Sequence, residues 1–401
     1  MLLPAGFGVD SLQSLATSDM IEPSRDRYPK RELDRVNERI DLHFDEIPSP
    51  DRRRARGMGL DPMKVVRSVG TLREALEPAR QAGHTIGLVP TMGALHQGHL
   101  SLISRARQQC DVVVVSLFVN PAQFNEGADL DRYPRQEARD RELAEQAGSD
   151  LLFAPSAEEV YPAGFSTSVE VLGLTDRLEG AVRGAAHFRG VTTVVTKLLN
   201  MVAPNAAFFG QKDAQQALVI RRLVADLNIP VRIEVCPTVR EPDGLAMSSR
   251  NARLDALERG RALALHAALE AAAAAVSQGE RSAEEIMAAG RAAMEPFALD
   301  PEYLALVSPS TLEPMGQLDG PALLAIAARV GSTRLIDNVV LDPTAQAGQQ
   351  SGACPDGGPF ADPEGGSSPL TSTPTPTSPP TSTPTLTPTP TPREAQAICS
   401  A

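Results

Sequence analysis

Two histidines, His96 and His99, stand three residues apart in the string Met-Gly-Ala-Leu-His-Gln-Gly-His-Leu. An imidazole N–H can donate a hydrogen bond to a phosphate oxygen, so two rings facing one ligand would suit a nucleotide. Gly93 and Gly98 allow tight turns and let a ligand approach the backbone. The motif therefore predicts a phosphate site, although the tetrapeptide alone fits helix capping or a merely polar surface equally well.

The flanking residues predict a strand before this motif and a helix after it. Residues 85–89 form an apolar run with the branching of a buried strand, and Pro90 bounds it. Leu100, Leu102, Ile103 and Ala106 then recur at helical spacing. Unpaired backbone N–H groups and the positive end of a helix dipole face outward at such a junction, which favours an anion.

A second polar cluster follows a valine-rich run at residues 112–119, which predicts a strand buried on both faces. Gln123 comes directly after that strand. Its amide offers two donors and an acceptor, which suits a substrate with both a hydroxyl and a carboxylate. A polar turn that closes the strand is the alternative for a single glutamine.

A third cluster places a cation at the start of a helix. Residues 206–209 predict a strand, Gly210 ends it, and Lys212 precedes a helix predicted over 214–227. An ammonium and free N–H groups at that place would face an anion. Asp213 can cap the helix, which is the alternative to a binding role for it, and Gln216, one turn later, can face the same cleft.

Two further loops carry candidate side chains. Ser248, Ser249 and Arg250 combine two hydroxyls with a guanidinium, which suits a phosphate clamp, although the segment alone is an ordinary loop. Residues 178–190 read as a glycine-rich charged loop. His187 within it is expected to cap a helix over 191–202.

Alternating strands and helices from Met63 onward predict a Rossmann-like doubly wound parallel sheet over residues 63–238, with ligands at the carboxyl ends of its strands. Thr71 with Glu74 predicts a capping box for a helix through Arg80. An alanine-rich helix (254–277), a helix capped by Ser282 and three strands (303–307, 323–327, 333–341) then predict a small α+β lid domain over residues 239–342. A cleft between two domains is where a small molecule is expected.

The composition excludes several classes. A net charge of −12 argues against a general nucleic-acid binder, which must neutralise phosphates. The four cysteines show neither disulfide nor zinc spacing. No apolar run reaches the length of a membrane span, and the first residues lack the basic and apolar regions of a signal peptide. A cytoplasmic protein with reduced thiols is expected.

Both ends differ from the middle of the chain. Residues 1–62 are rich in charge and are either a docking arm or, as we favour, a disordered extension or residues upstream of a start at Met58 or Met63. Residues 343–401 contain Thr-Pro repeats between Thr373 and Pro392, which predict a linker without a packed core.

The string from Leu88 to Leu100 resembles the nucleotide-binding signature of the pantothenate synthetases (pantoate–β-alanine ligases), in the HxGH nucleotidyltransferase superfamily. The four later clusters match the same family in order, over residues 63–341. The resemblance implies that ATP and Mg²⁺ support the condensation of pantoate with β-alanine through a pantoyl adenylate, with release of AMP and pyrophosphate. It also implies a homodimer, and no nucleic-acid or membrane partner.

The resemblance assigns roles residue by residue. The catalytic residues would be His96, His99, Lys212, Ser248, Ser249 and Arg250. The ATP-binding residues would be Pro90, Thr91, Met92, Gly93, His96, His99, Gly210, Lys212, Asp213, Val239, Met247, Ser248, Ser249 and Arg250. The substrate-binding residues would be Met92, Gln123, Tyr133, Glu179, Arg183, Phe209 and Gln216. Protein ligands of Mg²⁺ are not assigned, and Ala214 stands where the family commonly has Tyr.

Two rival functions stay open on the residues alone. One is another adenylyl- or cytidylyltransferase of the superfamily, acting on a phosphate acceptor. The other is a non-catalytic nucleotide-binding protein whose terminal segments recruit partners. The acceptor that releases pyrophosphate from ATP would separate the first from a ligase, and ATP binding without β-alanine-dependent AMP would favour the second.

Overall fold

The computed structural model describes residues 62–124, 130 and 133–344. Within these ranges the larger sheet consists of β1 (Lys64–Val66), β2 (Ile86–Thr91), β3 (Val112–Leu117), β4 (Leu151–Phe153), β5 (Ala206–Gly210) and β6 (Arg232–Cys236). The helices between them are α1 (Val69–Gln81), α2 (Gln97–Gln109), α3 (Glu137–Gln146), α4 (Ala157–Val160), α5 (Glu179–Arg183), α6 (Ala185–Val202) and α7 (Ala214–Asp226).

The strands lie in the order β1-β4-β3-β2-β5-β6, and every neighbouring pair is parallel. The chain leaves β2 toward one side of the sheet and returns to its other side at β5. A crevice opens at such a switch point, outside the carboxyl ends of the strands. The predicted Rossmann-like doubly wound sheet is confirmed.

Alternate residues of each strand face two different cores, because side chains point to opposite faces of a sheet. Val112 and Val114 pack on one face with α1, α6 and α7, whereas Val113 and Val115 pack on the other with α2 and α3. All four valines are at most 5% exposed. The continuous valine run therefore follows from burial on both faces.

A second, antiparallel sheet of three strands follows in the described part of the chain: β7 (Pro301–Val307), β8 (Ala322–Val330) and β9 (Thr333–Leu341). It packs with α8 (Ala256–Ala262), α9 (Ala264–Ser277) and α10 (Ala283–Met294). Leu324 and Ile326 face these helices, whereas Leu323 and Ala325 face the start of α7. The middle strand is thus covered on both faces, and the predicted α+β portion is confirmed.

Four local predictions are wrong in detail. The cap of α1 is Ser68, whose Oγ accepts from Thr71 N at 3.2 Å, so the capping box lies three residues before the predicted one. Strand β2 continues through Pro90, beyond the point where its pairing with β5 ends. The alanine-rich helix is divided at Leu263, and α6 begins at Ala185 instead of Val191.

The predicted arm and tail lie outside the described residues, apart from positions 62, 343 and 344. The boundary predicted between residues 238 and 239 stays a prediction. No helix in the described ranges has the length and apolar character needed to cross a bilayer.

Candidate functional site

A cavity of about 650 Å³ opens at the carboxyl ends of β2 and β5. All but one of the predicted site residues line it. They are Pro90, Thr91, Met92, His96, His99, Gln123, Tyr133, Glu179, Arg183, Phe209, Gly210, Lys212, Asp213, Gln216, Val239, Met247, Ser248, Ser249 and Arg250. Five sequence clusters are therefore brought to one place.

Gly93 is the exception, because it does not line the cavity. Its φ is +91°, and a side chain there would meet Leu117 and the Asp140 carboxylate at about 3 Å. Asp140, 1% exposed, accepts hydrogen bonds from the backbone N–H groups of Ala94 and Leu95 at 2.9 and 2.8 Å. Gly93 thus serves the turn that precedes the histidines, and Asp140, which sequence reasoning missed, anchors that turn.

The two imidazoles are held together at the start of α2. His96 occupies the N-cap position with an extended backbone, and its ring centroid lies 4.1 Å from that of His99. The His96 backbone N–H donates to Nδ1 of His99 at 3.3 Å. Nδ1 of His99 is therefore an acceptor, and the proton of the neutral ring sits on Nε2.

Burial keeps both imidazoles neutral. It lowers the pKa of His96 to about 4, assisted by the Lys212 ammonium. It lowers the pKa of His99 to about 3, assisted by His96 and then by Lys212. Nδ1 of His96 is buried without a hydrogen-bond partner among the described residues. At pH 7 the pair consequently presents uncharged N–H donors and an unused ring nitrogen.

Lys212 lies in a 3-10 turn, Gln211–Asp213, between β5 and α7. Its side chain is 18% exposed, and Nζ lies 3.8 Å from Oδ1 of Asp213. Asp213 stands at the N-cap of α7 but makes no capping hydrogen bond, so the capping alternative for this residue is wrong. Because the ammonium lowers the pKa of both histidines, the two predicted halves of the phosphate site act on each other.

The Ser248–Arg250 segment opens a second 3-10 turn, Ser249–Arg253. Ser248 Oγ accepts from the backbone N–H of Arg250 at 3.2 Å. Tyr133, 8% exposed, lines the cavity beside Ser249. Burial raises the pKa of Tyr133, so its phenol stays protonated.

The Gln123 amide is oriented by two neighbours. Asn120 Nδ2 donates to Gln123 Oε1 at 3.0 Å, and Gln123 Nε2 donates to Met92 Sδ at 2.8 Å. His187 does not cap a helix, because it lies inside α6. Its Nδ1 is 2.8 Å from the Gln123 carbonyl oxygen, which can only accept, so this nitrogen is the donor.

Helix α6 approaches the 3-10 turn Pro121–Gln123 at Gly190. A Cβ built there would lie 2.3 Å from the Ala122 carbonyl oxygen. Gly190→Ala should therefore push the turn away and cost about 1–3 kcal/mol of stability, as overpacking does. Gly260→Ala is the matched control, because that helical glycine has no heavy atom within 4 Å and should gain about 1 kcal/mol. Thermal unfolding of both variants is the measurement, and equal shifts would contradict the close approach.

Glu179 and Arg183 lie in a buried ionic cluster. The Glu179 carboxylate accepts from Arg334 at 2.6 and 2.8 Å, from Arg183 Nε at 3.0 Å and from the Tyr303 hydroxyl at 2.8 Å. Burial acts to raise the pKa of Glu179, but Arg334, Arg183 and Tyr303 together outweigh it, and the pKa lies below its ordinary value. Both oxygens are thus bonded to protein donors, so Glu179 orients Arg183 and ties it to β9.

The buried histidines predict that stability falls with acid. The pKa values of His96, His99 and His187 lie below the ordinary 6.5, at about 4, 3 and 4, with burial as the largest cause. Between these values and pH 6.5 the unfolded chain binds more protons. The free energy of unfolding should fall by up to about 1.4 kcal/mol per pH unit for each proton as pH drops below 6.5. Melting temperatures from pH 7.5 to 5 test this. His187→Asn should make the fall in stability with pH less steep by the contribution of one proton. A wild-type melting temperature that does not change between pH 7.5 and 5 would contradict the prediction.

The Pantoate-beta-alanine ligase family model matches residues 64–340. The chain is 53% identical over 281 residues to the pantothenate synthetase of Pelotomaculum thermopropionicum, covering 70% of this chain and 99% of that one. It is 54% identical over 284 residues to the pantothenate synthetase of Moorella thermoacetica, with coverage of 70% and 99%.

Solved structures agree with these relatives. The pantothenate synthetase from Thermus thermophilus superimposes with a TM-score of 0.66 at 48% identity, covering 69% of this chain and 99% of that one. The pantoate-beta-alanine ligase from Francisella tularensis, complexed with beta-gamma ATP and beta-alanine, gives a TM-score of 0.57 at 34% identity, covering 70% and 100%.

Proposed function

Because the chain belongs to the pantoate-beta-alanine ligase family, we propose that its 650 Å³ cavity is where ATP drives the joining of pantoate to β-alanine. The chain is an ATP-dependent ligase of this family. The observation that carries the assignment of the site is the convergence of His96, His99 and Lys212 at the β2/β5 switch point. The Francisella relative is complexed with beta-gamma ATP and beta-alanine, which supports ATP and β-alanine as ligands here.

In the first proposed step a pantoate carboxylate oxygen bonds to the α-phosphorus of ATP, and the bond to the bridging oxygen breaks. Pyrophosphate leaves with that electron pair, and pantoyl adenylate remains. The carboxylate is already ionised at pH 7, so no side-chain base is needed. The neutral N–H donors of His96 and His99 and the cations of Lys212 and Arg250 would bring the anions together and stabilise the developing charge.

In the second proposed step the β-alanine amine attacks the acyl carbon. The amide bond forms, the acyl–phosphate bond breaks, AMP leaves with the electron pair, and the amine releases a proton. Arg183 is our candidate for the β-alanine carboxylate or the phosphate end. Its guanidinium is held by Glu179 at 3.0 Å, which fixes its direction.

Pantoate would lie between two amides and an apolar wall. Gln123 and Gln216 would bind its hydroxyls and carboxylate, and both line the cavity. Met92 and Phe209 would contact its geminal methyl groups. Tyr133, adjoining Ser249, would close this end beside the adenylate.

Mg²⁺ would be held mainly by the phosphate oxygens of ATP, because the cavity offers few free carboxylates. The acidic residues that line the cavity are Glu179, Asp213 and Asp337. Glu179 and Asp337 are bonded to arginines. The described residues hold no group of three metal-ligating side chains. Asp213, half exposed, would contact the ion's water shell, and bound Mg²⁺ would neutralise phosphate charge while keeping several waters.

The proposal also includes a cytoplasmic homodimer, which the family resemblance implies. The central experiment measures AMP formation from ATP and Mg²⁺ with pantoate and β-alanine supplied together and separately. We expect AMP only with both substrates, and pantoate-dependent exchange of pyrophosphate into ATP without β-alanine. Pyrophosphate release with a phosphorylated acceptor instead would overturn this function in favour of a nucleotidyltransferase.

A further inference from the structure

Two adjacent polar residues are buried in the last strand of the second sheet. Asp337 and Asn338, on β9, are 3% and 5% exposed. Both border the cavity, but the proposed mechanism uses neither. Each is bonded to a different segment that carries a predicted phosphate-binding group.

Asn338 is bonded to the turn that carries Lys212. Its Nδ2 donates to the carbonyl oxygens of Gln211 and Lys212, both at 2.9 Å. A single amide group thus binds two consecutive carbonyls of the 3-10 turn between β5 and α7. Since the turn is short, these bonds fix the direction in which the Lys212 side chain leaves the backbone.

Asp337 is bonded to the loop that leads into Ser248. Its carboxylate accepts from Arg240 Nη1 at 2.6 Å and Nη2 at 3.2 Å. Arg240 Nη1 also donates to the Gly244 carbonyl at 3.1 Å, and Arg240 pairs with Ala246 across an isolated bridge. Ala246 stands two residues before Ser248, so Asp337 holds the base of the loop that carries Ser248 and Arg250.

Asp337 and Asn338 are hydrogen-bonded to each other, and burying two polar side chains costs free energy. The backbone N–H of Asn338 donates to Asp337 Oδ1 at 2.8 Å, which connects them. Ala214, Leu218 and Ala325 already provide apolar packing between this sheet and α7. A buried ion pair adds little net stability compared with apolar side chains of similar size. What Asp337 and Asn338 provide is therefore directional hydrogen bonds to two separate segments, which apolar side chains could not make.

We propose that Asp337 and Asn338 are positioning residues that set the separation of the two halves of the phosphate site. Asn338 acts through Lys212, and Asp337 acts through the loop that carries Ser248 and Arg250. The inference rests on the proposed role of this cavity in ATP binding. In this proposal each residue acts through its bonded partner and not by touching the reacting atoms.

A double-mutant cycle in the full-length chain tests this inference. Asn338→Ala should lower kcat/KM for ATP by on the order of 10²-fold, the effect of a misplacement of about 1 Å. In a Lys212→Ala background the same change should cost less than about 3-fold, because its effect passes through the missing ammonium. Equal losses in both backgrounds, or a Lys212→Ala enzyme that behaves as wild type, would overturn the inference.

A second double-mutant cycle combines Asp337→Asn with Arg250→Ala. We again expect the Asp337 change to cost much less in the Arg250→Ala background than in the wild-type chain. Asn338→Asp, which keeps the size but loses both donors, replaces Asn338→Ala if that variant does not fold. Asn205→Ala is the matched control, because it removes a 2.8 Å hydrogen bond from Ile86 N to the Asn205 side chain. This bond lies at the amino ends of β2 and β5 in the larger sheet, away from the cavity. It should leave the kinetics for ATP unchanged.

The dissociation constant of a non-hydrolysable ATP analogue, measured by calorimetry, separates this inference from the proposed function. If the wild-type chain binds the analogue but forms no AMP with pantoate and β-alanine, the proposed function fails. The cycle measured on analogue binding then still decides the positioning role. Additive losses of analogue affinity would overturn it.

Discussion

Replacing Lys212 with alanine is expected to lower kcat by on the order of 10²–10³-fold, the usual effect of losing one preorganised charge-stabilising group. The Lys212 side chain is only 18% exposed, and its ammonium reaches the same space as the two imidazoles. The transition state of the first step gains charge on the departing pyrophosphate, where this cation would lie. Pyrophosphate release at saturating ATP, pantoate and β-alanine measures the loss.

Lys197→Ala is the matched control for this variant. Nζ of Lys197 lies 4.5 Å from the centroid of the Phe165 ring, and the residue does not line the cavity. It should keep wild-type turnover. A Lys212→Ala enzyme with normal kcat and normal melting temperature would remove Lys212 from the mechanism.

The strands and most helices could be predicted because their signals are local. The valine run of β3 and the helical spacing in α2 specify both the element type and the buried face. Strand ends follow the same logic, so the predicted convergence of polar loops at one edge of a parallel sheet needed no long-range information. Repeated strand–helix units with right-handed crossovers then predicted a doubly wound parallel sheet, although not the order of its strands.

The errors occur where tertiary contacts replace local signals. The first turn of α6 follows a charged, glycine-rich stretch and lies outside the predicted helix, but His187 is bonded to the Gln123 carbonyl, and Phe188, three residues before Val191, is 2% exposed. These contacts extend the helix to Ala185. Similarly, Asp213 looks like a helix cap in the sequence, whereas the preceding 3-10 turn is held by Asn338.

The parts of the site that could not be predicted lie far apart in the chain. Arg334 and Glu179 are 155 positions apart, and no motif in either segment indicates that they pair. Asp140 lies 46 positions from Ala94, inside a helix that otherwise reads as a charged surface. A single sequence gives residue types at a site, but the partners that orient them depend on how separate elements pack.

His96→Ala should also lower kcat by on the order of 10²–10³-fold, for a different physical reason. With a pKa of about 4, the His96 ring is neutral at the pH of the assay, so it contributes an N–H donor instead of a charge. His96→Gln keeps a side-chain N–H and should recover part of the lost rate. Pyrophosphate release measures both variants, with His84→Ala, outside the cavity, as the control.

The pH profile distinguishes this donor role from acid–base chemistry. Because burial lowers the pKa, His96 gains a proton in the free enzyme only as pH falls toward 4, so kcat/KM for ATP should show no histidine break between about pH 6 and 8. Bound phosphates would stabilise the protonated ring and raise its pKa, so kcat can titrate at higher pH than kcat/KM does. A break near pH 6.5 in wild-type kcat/KM that disappears in His96→Gln would show that the ring titrates in the free enzyme. That result would contradict catalysis by a buried, neutral imidazole.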